Sequence, residues 1–174
     1  MPTWLYVLVV AGALGQFIGW FIFLNFLYKI RGKLKAIFAP SVRILSVLLV
    51  LTISIKFLLQ LGSTVPEISK FAFGFRSIVI AYLHLVLLGI ITIFLITYAL
   101  AMNFIQLNHR NAYFGLAVFT GFVFLIEIIL AIQGIASFTY TLIPYSNELL
   151  LICSVALFAG LIVLYKSQDR LTKR

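Results

Sequence analysis

Three ionisable side chains lie deep inside apolar stretches of the sequence and are the residues best placed to do chemistry. They are Lys56, His84 and Glu127. A charged side chain near the centre of a bilayer costs about 2.5 to 3.5 kcal/mol on insertion scales. We therefore expect each of them to have an interaction partner or a functional role. A carboxylate and an imidazole in one layer are suited to proton handling, and an imidazole can also ligate haem or a metal.

Each of these side chains also has a purely structural interpretation. Lys56 can extend toward the membrane interface, Glu127 can join helices through an ion pair or a hydrogen bond, and His84 can make an interhelical hydrogen bond. A closed metal site generally needs several His, Cys or carboxylate ligands, and this layer offers at most two, so we predict no metal site.

Motifs of soluble enzymes are missing from the sequence. It contains no phosphate-binding loop, no GxSxG, no CxxC and no HExxH. We therefore assign no catalytic residue and expect a non-enzymatic protein more than an enzyme.

The elements that carry these residues are long apolar runs. Of the 174 residues, 64% are hydrophobic and only 10% are charged, and the mean hydropathy is +1.20. Such a balance is typical of membrane proteins.

Helices of about 20 apolar residues cross a bilayer core, whereas barrel strands are half as long and alternate in polarity. We predict an all-α polytopic transmembrane bundle, a single domain over residues 1–174. Its five helices cover 4–28, 44–62, 77–102, 112–134 and 148–165. The start, MPTW, lacks the basic region of a signal peptide, so the first run is expected to remain as a helix.

Basic residues predict the orientation of these helices. With five spans, ten of the thirteen Lys and Arg residues fall on one side, in the first connection, the third connection and the C-terminal tail. Only Lys70 and Arg76 fall on the other side, and Lys56 lies inside a span. By the positive-inside rule, the N-terminus lies outside and the C-terminus in the cytoplasm, in a bacterial cytoplasmic (inner) membrane.

The same basic residues indicate partners. A net charge of +9 does not call for nucleic acid here, because the charge lies beside the predicted spans. Anionic lipid headgroups are the predicted partners of Lys29, Arg31, Lys33 and Lys35. A docking site for a cytoplasmic partner is the alternative for these basic residues. A membrane-protein partner or a homo-oligomer is a separate expectation. Gly12, Gly15 and Gly19 could allow close helix contact within the chain or between chains.

Depth brings the three ionisable residues together. Lys56, His84 and Glu127 each lie about six or seven residues from the predicted outer end of a helix, roughly 9 to 11 Å deep. Thr52, Lys56 and Gln60 follow one another at intervals of four, which gives the second helix a polar stripe. We predict a buried polar layer of Lys56, Gln60, His84 and Glu127 in the outer half of the membrane.

Short signals describe the outer connections and the cysteine. Thr64 and Glu67 have capping-box spacing around Pro66, which predicts a short interfacial helix. Phe71, Phe73 and Phe75 would rest at headgroup level. Ser146 is a candidate N-cap, with Glu148 in the first turn of the last helix. Cys153 is expected to be a core residue.

Parts of the sequence resemble a known family. The stretch FLLQLGSTVPEISKFAFGFRSIVIAYLHLVLLGIITIFLITYAL, then LIEIILAIQG and IPYSNELL, resembles the C-terminal half of a family of uncharacterised multi-pass bacterial membrane proteins of the Bacteroidetes type. The similarity covers most of the chain. That family is distantly similar to haem-copper oxidase subunit I, in which intramembrane histidines bind haem and copper.

The oxidase comparison implies a role for one residue. YLHLVLLG is similar to an oxidase helix that reads HxHxVxxxG, and His84 matches its second histidine. Tyr82 stands at the first histidine, the glycine is offset by one, and the helices that carry the other ligands have no counterpart. The resemblance thus implies a haem-binding or accessory fragment and not a complete oxidase centre.

Three functions follow from these observations. The first is an integral membrane protein of structural or accessory type, whose polar layer determines how its helices pack. The second is a haem-binding redox or proton-handling module with His84 as axial ligand. The third is a small transporter or sensor with an outward-facing pocket.

Overall fold

A computed structural model describes residues 3–139, 141 and 143–172 of the chain, and the side chains of these except 71–73, 138 and 169–172. Helices account for most of this part, and it contains no strand. In chain order they are α1 (Thr3–Ile37), α2 (Pro40–Gly62), α3 (Pro66–Gly74), α4 (Arg76–His84), a π-helix (Leu85–Thr92), α5 (Ile93–Ala101), α6 (Arg110–Phe138) and α7 (Ser146–Thr172).

Five helical stretches of the described chain are long and apolar enough to cross a membrane. They are α1, α2, the continuous stretch Arg76–Ala101, α6 and α7, which confirms the five predicted apolar helices. We refer to Arg76–Ala101 as the third span. Internal contacts divide the chain into two compact units, Met1–Arg76 and Ser77–Arg174. The assignment of residues 1–174 to a single domain stays a prediction.

The first unit is built on the contact of α1 with α2. Trp20 of α1 donates its indole N–H to the Ser54 hydroxyl at 2.9 Å, and its ring lies 5.5 Å from that of Phe57 between centroids. Apolar side chains cover most of α1, yet only Ala13 of this helix is buried. Such a surface is suited to lipid contact, because lipid chains are as apolar as the side chains themselves.

The C-terminal part of α1 differs from the prediction. Residues 29–37 were expected to belong to a connection, but α1 continues to Ile37 and α2 begins at Pro40. Lys29, Arg31, Lys33 and Lys35 therefore lie on a helix. Lys and Arg are strong helix formers, so a change from apolar to basic residues does not by itself end a helix. Arg31 stacks on its neighbour Tyr28, with the guanidinium 4.1 Å from the ring centroid.

A short helix follows α2, as predicted, and it begins at Pro66 with Glu67 in its first turn. The predicted capping box does not close the start of this helix. The Thr64 hydroxyl donates to the Leu61 carbonyl at 2.7 Å, so it closes the end of α2. The side chains of Phe71 and Phe73 lie outside the described residues.

The third span changes its helical type in the middle. Eight residues, Leu85–Thr92, form a π-helix directly after His84. From Gly89 within the π-helix onward, the buried residues of the span form one stripe, namely Gly89, Ile93, Thr97 and Leu100. π-Helical segments are rare and occur frequently at functional sites.

Helix α6 is the centre of the second unit. In the most apolar 18-residue stretch of α6, 44% of the residues are buried, against 11% in that of the third span and 17% in that of α7. The Ser77 and Ser137 hydroxyls are hydrogen-bonded to each other, and Gly134 lies beside Ile78. These contacts align the start of the third span with the end of α6, so the two run antiparallel.

Two glycines bring α6 and α7 into close contact. A Cβ atom built on Gly115 would lie 2.7 Å from the Leu164 backbone nitrogen, and one on Gly160 would lie 2.9 Å from the Phe119 nitrogen. The glycines of α1 do not play this role, because a Cβ on Gly12, Gly15 or Gly19 would meet no atom of the described chain within 4 Å. Glycine removes side-chain bulk and lets backbones approach, so Gly115 and Gly160 determine where α6 and α7 cross.

The ends of α7 are held by specific contacts. Glu148 lies in the first turn of α7, as predicted. Ser146, the candidate N-cap, is instead the first residue of the helix, and Tyr145 precedes it with a positive φ of 60°. Near the other end, the Gln168 amide accepts from the Gln106 backbone N–H at 2.9 Å and donates to the Gln106 carbonyl at 3.1 Å. This pair of bonds ties the connection between α5 and α6 to the last turns of α7.

Candidate functional site

A groove of about 350 Å³ lies in the second unit beside the start of the π-helix, and we call it the His84 groove. It receives residues from three helical stretches, namely the third span, α6 and α7. Its lining consists of Ile80, His84, Leu88, Ile126, Leu130, Leu150, Ser154 and Leu157. The volume falls at the lower end of the range for small-molecule sites, which are mostly apolar with a few convergent polar groups.

The floor of the groove is part of the hydrophobic core. Ile126, Leu130 and Cys153 are buried together, and Ile80, Leu150 and Leu157 pack against them. Cys153 is a free thiol with 4% of its surface exposed, which confirms its predicted place in the core. The aliphatic floor thus belongs to the packed core, whereas His84 is half-buried and Ser154 is exposed.

Two polar side chains, His84 and Ser154, interrupt this apolar lining. The Ser154 hydroxyl donates to the Leu150 carbonyl at 2.8 Å, so its proton is used within α7 and its oxygen remains an acceptor. Within the described part of the chain, neither ring nitrogen of His84 has a hydrogen-bond partner. The interhelical hydrogen bond expected for His84 is therefore not made there.

Glu127 is a buried residue of α6 that does not line the groove. Its side chain is 8% exposed, and its Oε1 has no hydrogen-bond partner in the described structure. The alignment of Ser77 with Ser137 and of Ile78 with Gly134 places Glu127 level with the first turn of the π-helix. An unpaired buried carboxyl oxygen costs free energy, so Glu127 is an unfavourable residue for the contact of α6 with the π-helix.

Thr120 shares the face of α6 on which Glu127 lies, since it lies seven residues before Glu127 and two turns separate them. It is also 8% exposed, and its hydroxyl oxygen likewise has no partner among the described residues. Val123 lies between the two and is fully buried, so it separates Thr120 from Glu127. The two oxygens are independent features of one helix face rather than parts of one site.

Lys56 belongs to the first unit and has a local partner. Its Nζ donates to Gln60 Oε1 at 2.6 Å and lies 4.5 Å from the centroid of the Phe57 ring. Thr52, the third member of the polar stripe on α2, is buried and donates to the Leu48 carbonyl. The bond to Gln60 directs the ammonium group toward the C-terminal end of α2, which is the predicted outer end.

The predicted site residues are thus found in three surroundings. Lys56 pairs with Gln60 on α2, His84 lines the groove, and Glu127 is buried on α6. Their membership of one polar layer stays a prediction. No group of three or more His, Cys, Asp or Glu side chains that could hold a metal occurs in the described part of the chain.

Sequence reasoning missed Ser154 and Thr120. Hydroxyl residues are common in membrane helices, where they usually bond to the carbonyl of the preceding turn. Nothing in the sequence separates Thr120 from Thr97, yet Thr97 makes such a bond and Thr120 does not. Helical spacing offered one signal, because Leu150, Ser154 and Leu157 fall on one face of the last predicted helix.

No protein-family model, curated protein or solved structure matches this chain.

Proposed function

We propose that the chain is an integral membrane protein of structural or accessory type in a bacterial cytoplasmic membrane. The observation that carries the proposal is the presence of five helices long and apolar enough to span a bilayer. The five spans run from an N-terminus outside to a C-terminus in the cytoplasm, because this orientation puts ten of the thirteen basic residues inside. The basic end of α1 then meets anionic lipid headgroups.

Reporter fusions test this topology. A reporter active only in the cytoplasm should work when fused to the C-terminus or inserted after Asn108. It should fail when inserted after Gly74. A C-terminal reporter that is active only outside would refute the proposed orientation, and recovery of the chain without detergent would refute membrane insertion itself.

The polar layer of Lys56, Gln60, His84 and Glu127 serves the packing of this protein. Half-buried Lys56 satisfies Gln60, and buried Glu127 occupies space beside the π-helix. Lys56→Ala should reduce accumulation in the membrane because it leaves Gln60 without its partner. Glu127→Ala should reduce accumulation because it removes buried side-chain volume. Lys70→Ala and Glu148→Ala are matched controls at exposed positions and should accumulate normally. Equal accumulation of all four variants would contradict a packing role.

A pocket-type function is the second candidate, as in a small sensor or transporter that opens to the outer side. The His84 groove favours it, because an open, largely apolar cavity with an unpartnered imidazole is the usual form of a ligand site. An impermeant thiol reagent tests its access. In a Cys153→Ser background, His84→Cys should react from outside, and complete protection would contradict an outward-facing pocket.

Haem fits this groove poorly. Its lining supplies one ligating nitrogen and apolar walls, but no Lys or Arg lies among the lining residues to pair with the two haem carboxylates. If haem were bound, His84 would be the residue that holds it, and the iron would supply redox chemistry. We expect purified protein from haem-replete cells to be colourless. A Soret band that disappears in His84→Ala would overturn this expectation and support the redox module.

A further inference from the structure

The polar groups of the His84 groove have hydrogen-bonding capacity that the described chain does not use. Six aliphatic side chains surround one imidazole and one hydroxyl. The imidazole has no partner in the described chain, and the Ser154 oxygen has a free acceptor position. In the hydrocarbon region no bulk water is present to satisfy such groups, so an occupant that supplies the missing hydrogen bonds is favoured.

We propose that the His84 groove binds a neutral lipid whose head carries a hydroxyl group. The apolar tail of the lipid lies along the aliphatic lining, and the hydroxyl lies between His84 and Ser154. The inference rests on the proposed membrane insertion, which gives the groove access to lipid.

The hydrogen-bonding capacity of the two polar residues favours a hydroxyl head. A neutral imidazole has one N–H donor and one nitrogen acceptor. Ser154 has already used its proton on the Leu150 carbonyl, so it needs a donor from its occupant. A hydroxyl group both accepts from His84 and donates to Ser154. A carbonyl head only accepts, so it would leave the Ser154 oxygen unpaired.

The charge of the lining excludes an anionic head. None of the eight lining residues is Lys or Arg, and none is Asp or Glu. A phosphate or carboxylate would enter an apolar groove without a counter-charge, which costs much more than the burial of a neutral hydroxyl. The volume of about 350 Å³ suits the head and the first part of a single chain rather than a bulky headgroup.

The π-helix keeps three lining residues near one side of the third span. Ile80, His84 and Leu88 follow at intervals of four along the third span. Four residues of α-helix exceed one turn by about 40°, so a regular helix would carry Leu88 away from the line of Ile80 and His84. The π-helix that begins at Leu85 has a wider turn, and four of its residues fall short of a full turn. This rotation returns Leu88 to the side of Ile80.

Photolabelling of the full chain in phosphatidylcholine vesicles tests the proposal. The probe is hexadecanol with a diazirine in its chain, and the matched probes are its methyl ether and its phosphate monoester. We expect the alcohol to label residues 80–88 and 150–157 about five-fold more than either matched probe, because only the alcohol supplies the hydroxyl proton without charge.

Variants locate the binding. Leu88→Trp fills the groove, and His84→Leu removes the imidazole, so both should lower labelling by the alcohol to the level of the ether. Leu87→Trp, at a neighbouring exposed position, and His109→Leu, at the exposed and distant start of α6, are controls outside the lining and should keep the labelling unchanged.

Two results would overturn the proposal. Equal labelling by alcohol and ether in the unmodified chain would show a lipid-exposed surface without recognition, and this comparison needs no variant to fold. Stronger labelling by the phosphate monoester would show an anionic ligand instead. Failure of membrane insertion is a separate outcome, because the chain would then not be recovered in the vesicles.

Discussion

Thr120 shows how a single side chain can depart from its helix. Several helical Ser and Thr hydroxyls of the described chain, such as Thr52, Ser54 and Thr97, bond to a carbonyl one turn earlier. Thr120 is as buried as Thr97, but its hydroxyl makes no hydrogen bond in the described structure. A buried hydroxyl without a partner destabilises the folded state, so Thr120 is a position at which the sequence is not optimal for stability.

Replacement of Thr120 by Val should therefore be neutral or stabilising. The two side chains have nearly the same shape, and the change removes an unsatisfied polar group, so we expect the free energy of unfolding to rise by up to about 1 kcal/mol. Thr97→Val is the matched control. It removes a hydrogen bond of 2.6 Å to the Ile93 carbonyl and should be the less stable variant by about 0.5 to 1.5 kcal/mol. Thermal unfolding in detergent measures both, and a Thr120→Val variant less stable than Thr97→Val would show that Thr120 has a partner.

At the same scale, residue type revealed part of the candidate site. His84 and Glu127 stood out because ionisable groups are rare in apolar runs, and both lie in the second unit, one in the groove and one in the core. Ser154 did not stand out, since its role depends on which carbonyl uses its proton. A sequence shows which groups need partners, but the partners are determined by packing.

Among the elements, α6 and α7 depend most on particular positions. Gly115→Ala would place a Cβ 2.7 Å from one backbone atom and 2.9 Å from another, and a backbone cannot move aside as a flexible side chain can. The helices would have to separate, so we expect a loss of about 1 to 3 kcal/mol in the free energy of unfolding. Unfolding in detergent, followed by circular dichroism, measures the change.

Gly121→Ala is the control on the same helix. No atom of the described chain lies within 4 Å of the added Cβ, and alanine is the better helix former by about 1 kcal/mol. This variant should be as stable as the unmodified protein or more stable. Equal effects of Gly115→Ala and Gly121→Ala would show that the contact of α6 with α7 does not depend on Gly115.

The elements also show where sequence patterns were sufficient. Apolar runs predicted all five long helices, because a span needs about 20 apolar residues and little else. The predicted end of α1 was wrong, because basic residues are good helix formers and α1 continues through them to Ile37. The π-helix had no signal in the composition of LVLLGIIT. Nor does the sequence single out Gly115 and Gly160 for close packing, because that depends on which backbone lies beside them.

For the whole molecule, the distribution of charge matters more than any single contact. Four basic residues, Lys29, Arg31, Lys33 and Lys35, lie within the last turns of α1. Because these turns are helical, the four charges are displayed close to the end of the first apolar span rather than along a flexible loop. Basic residues next to an anionic membrane surface contribute about 1 kcal/mol each, so together they are the largest single determinant of the proposed orientation.

Replacement of these four residues by Gln should therefore produce a mixed orientation. Of the ten basic residues on the predicted cytoplasmic side, six would remain, against Lys70 and Arg76 on the other side. The loss of about 4 kcal/mol of surface attraction weakens the preference of the first helix, which usually dominates topology. A C-terminal reporter pair, one member active in the cytoplasm and one outside, should shift from a single location to both.

The control is replacement of Lys70 and Arg76 by Gln, which increases the difference in basic residues between the two sides and should leave the C-terminus in the cytoplasm. An unchanged location in the fourfold variant would mean that the later helices, and not the basic end of α1, determine the orientation.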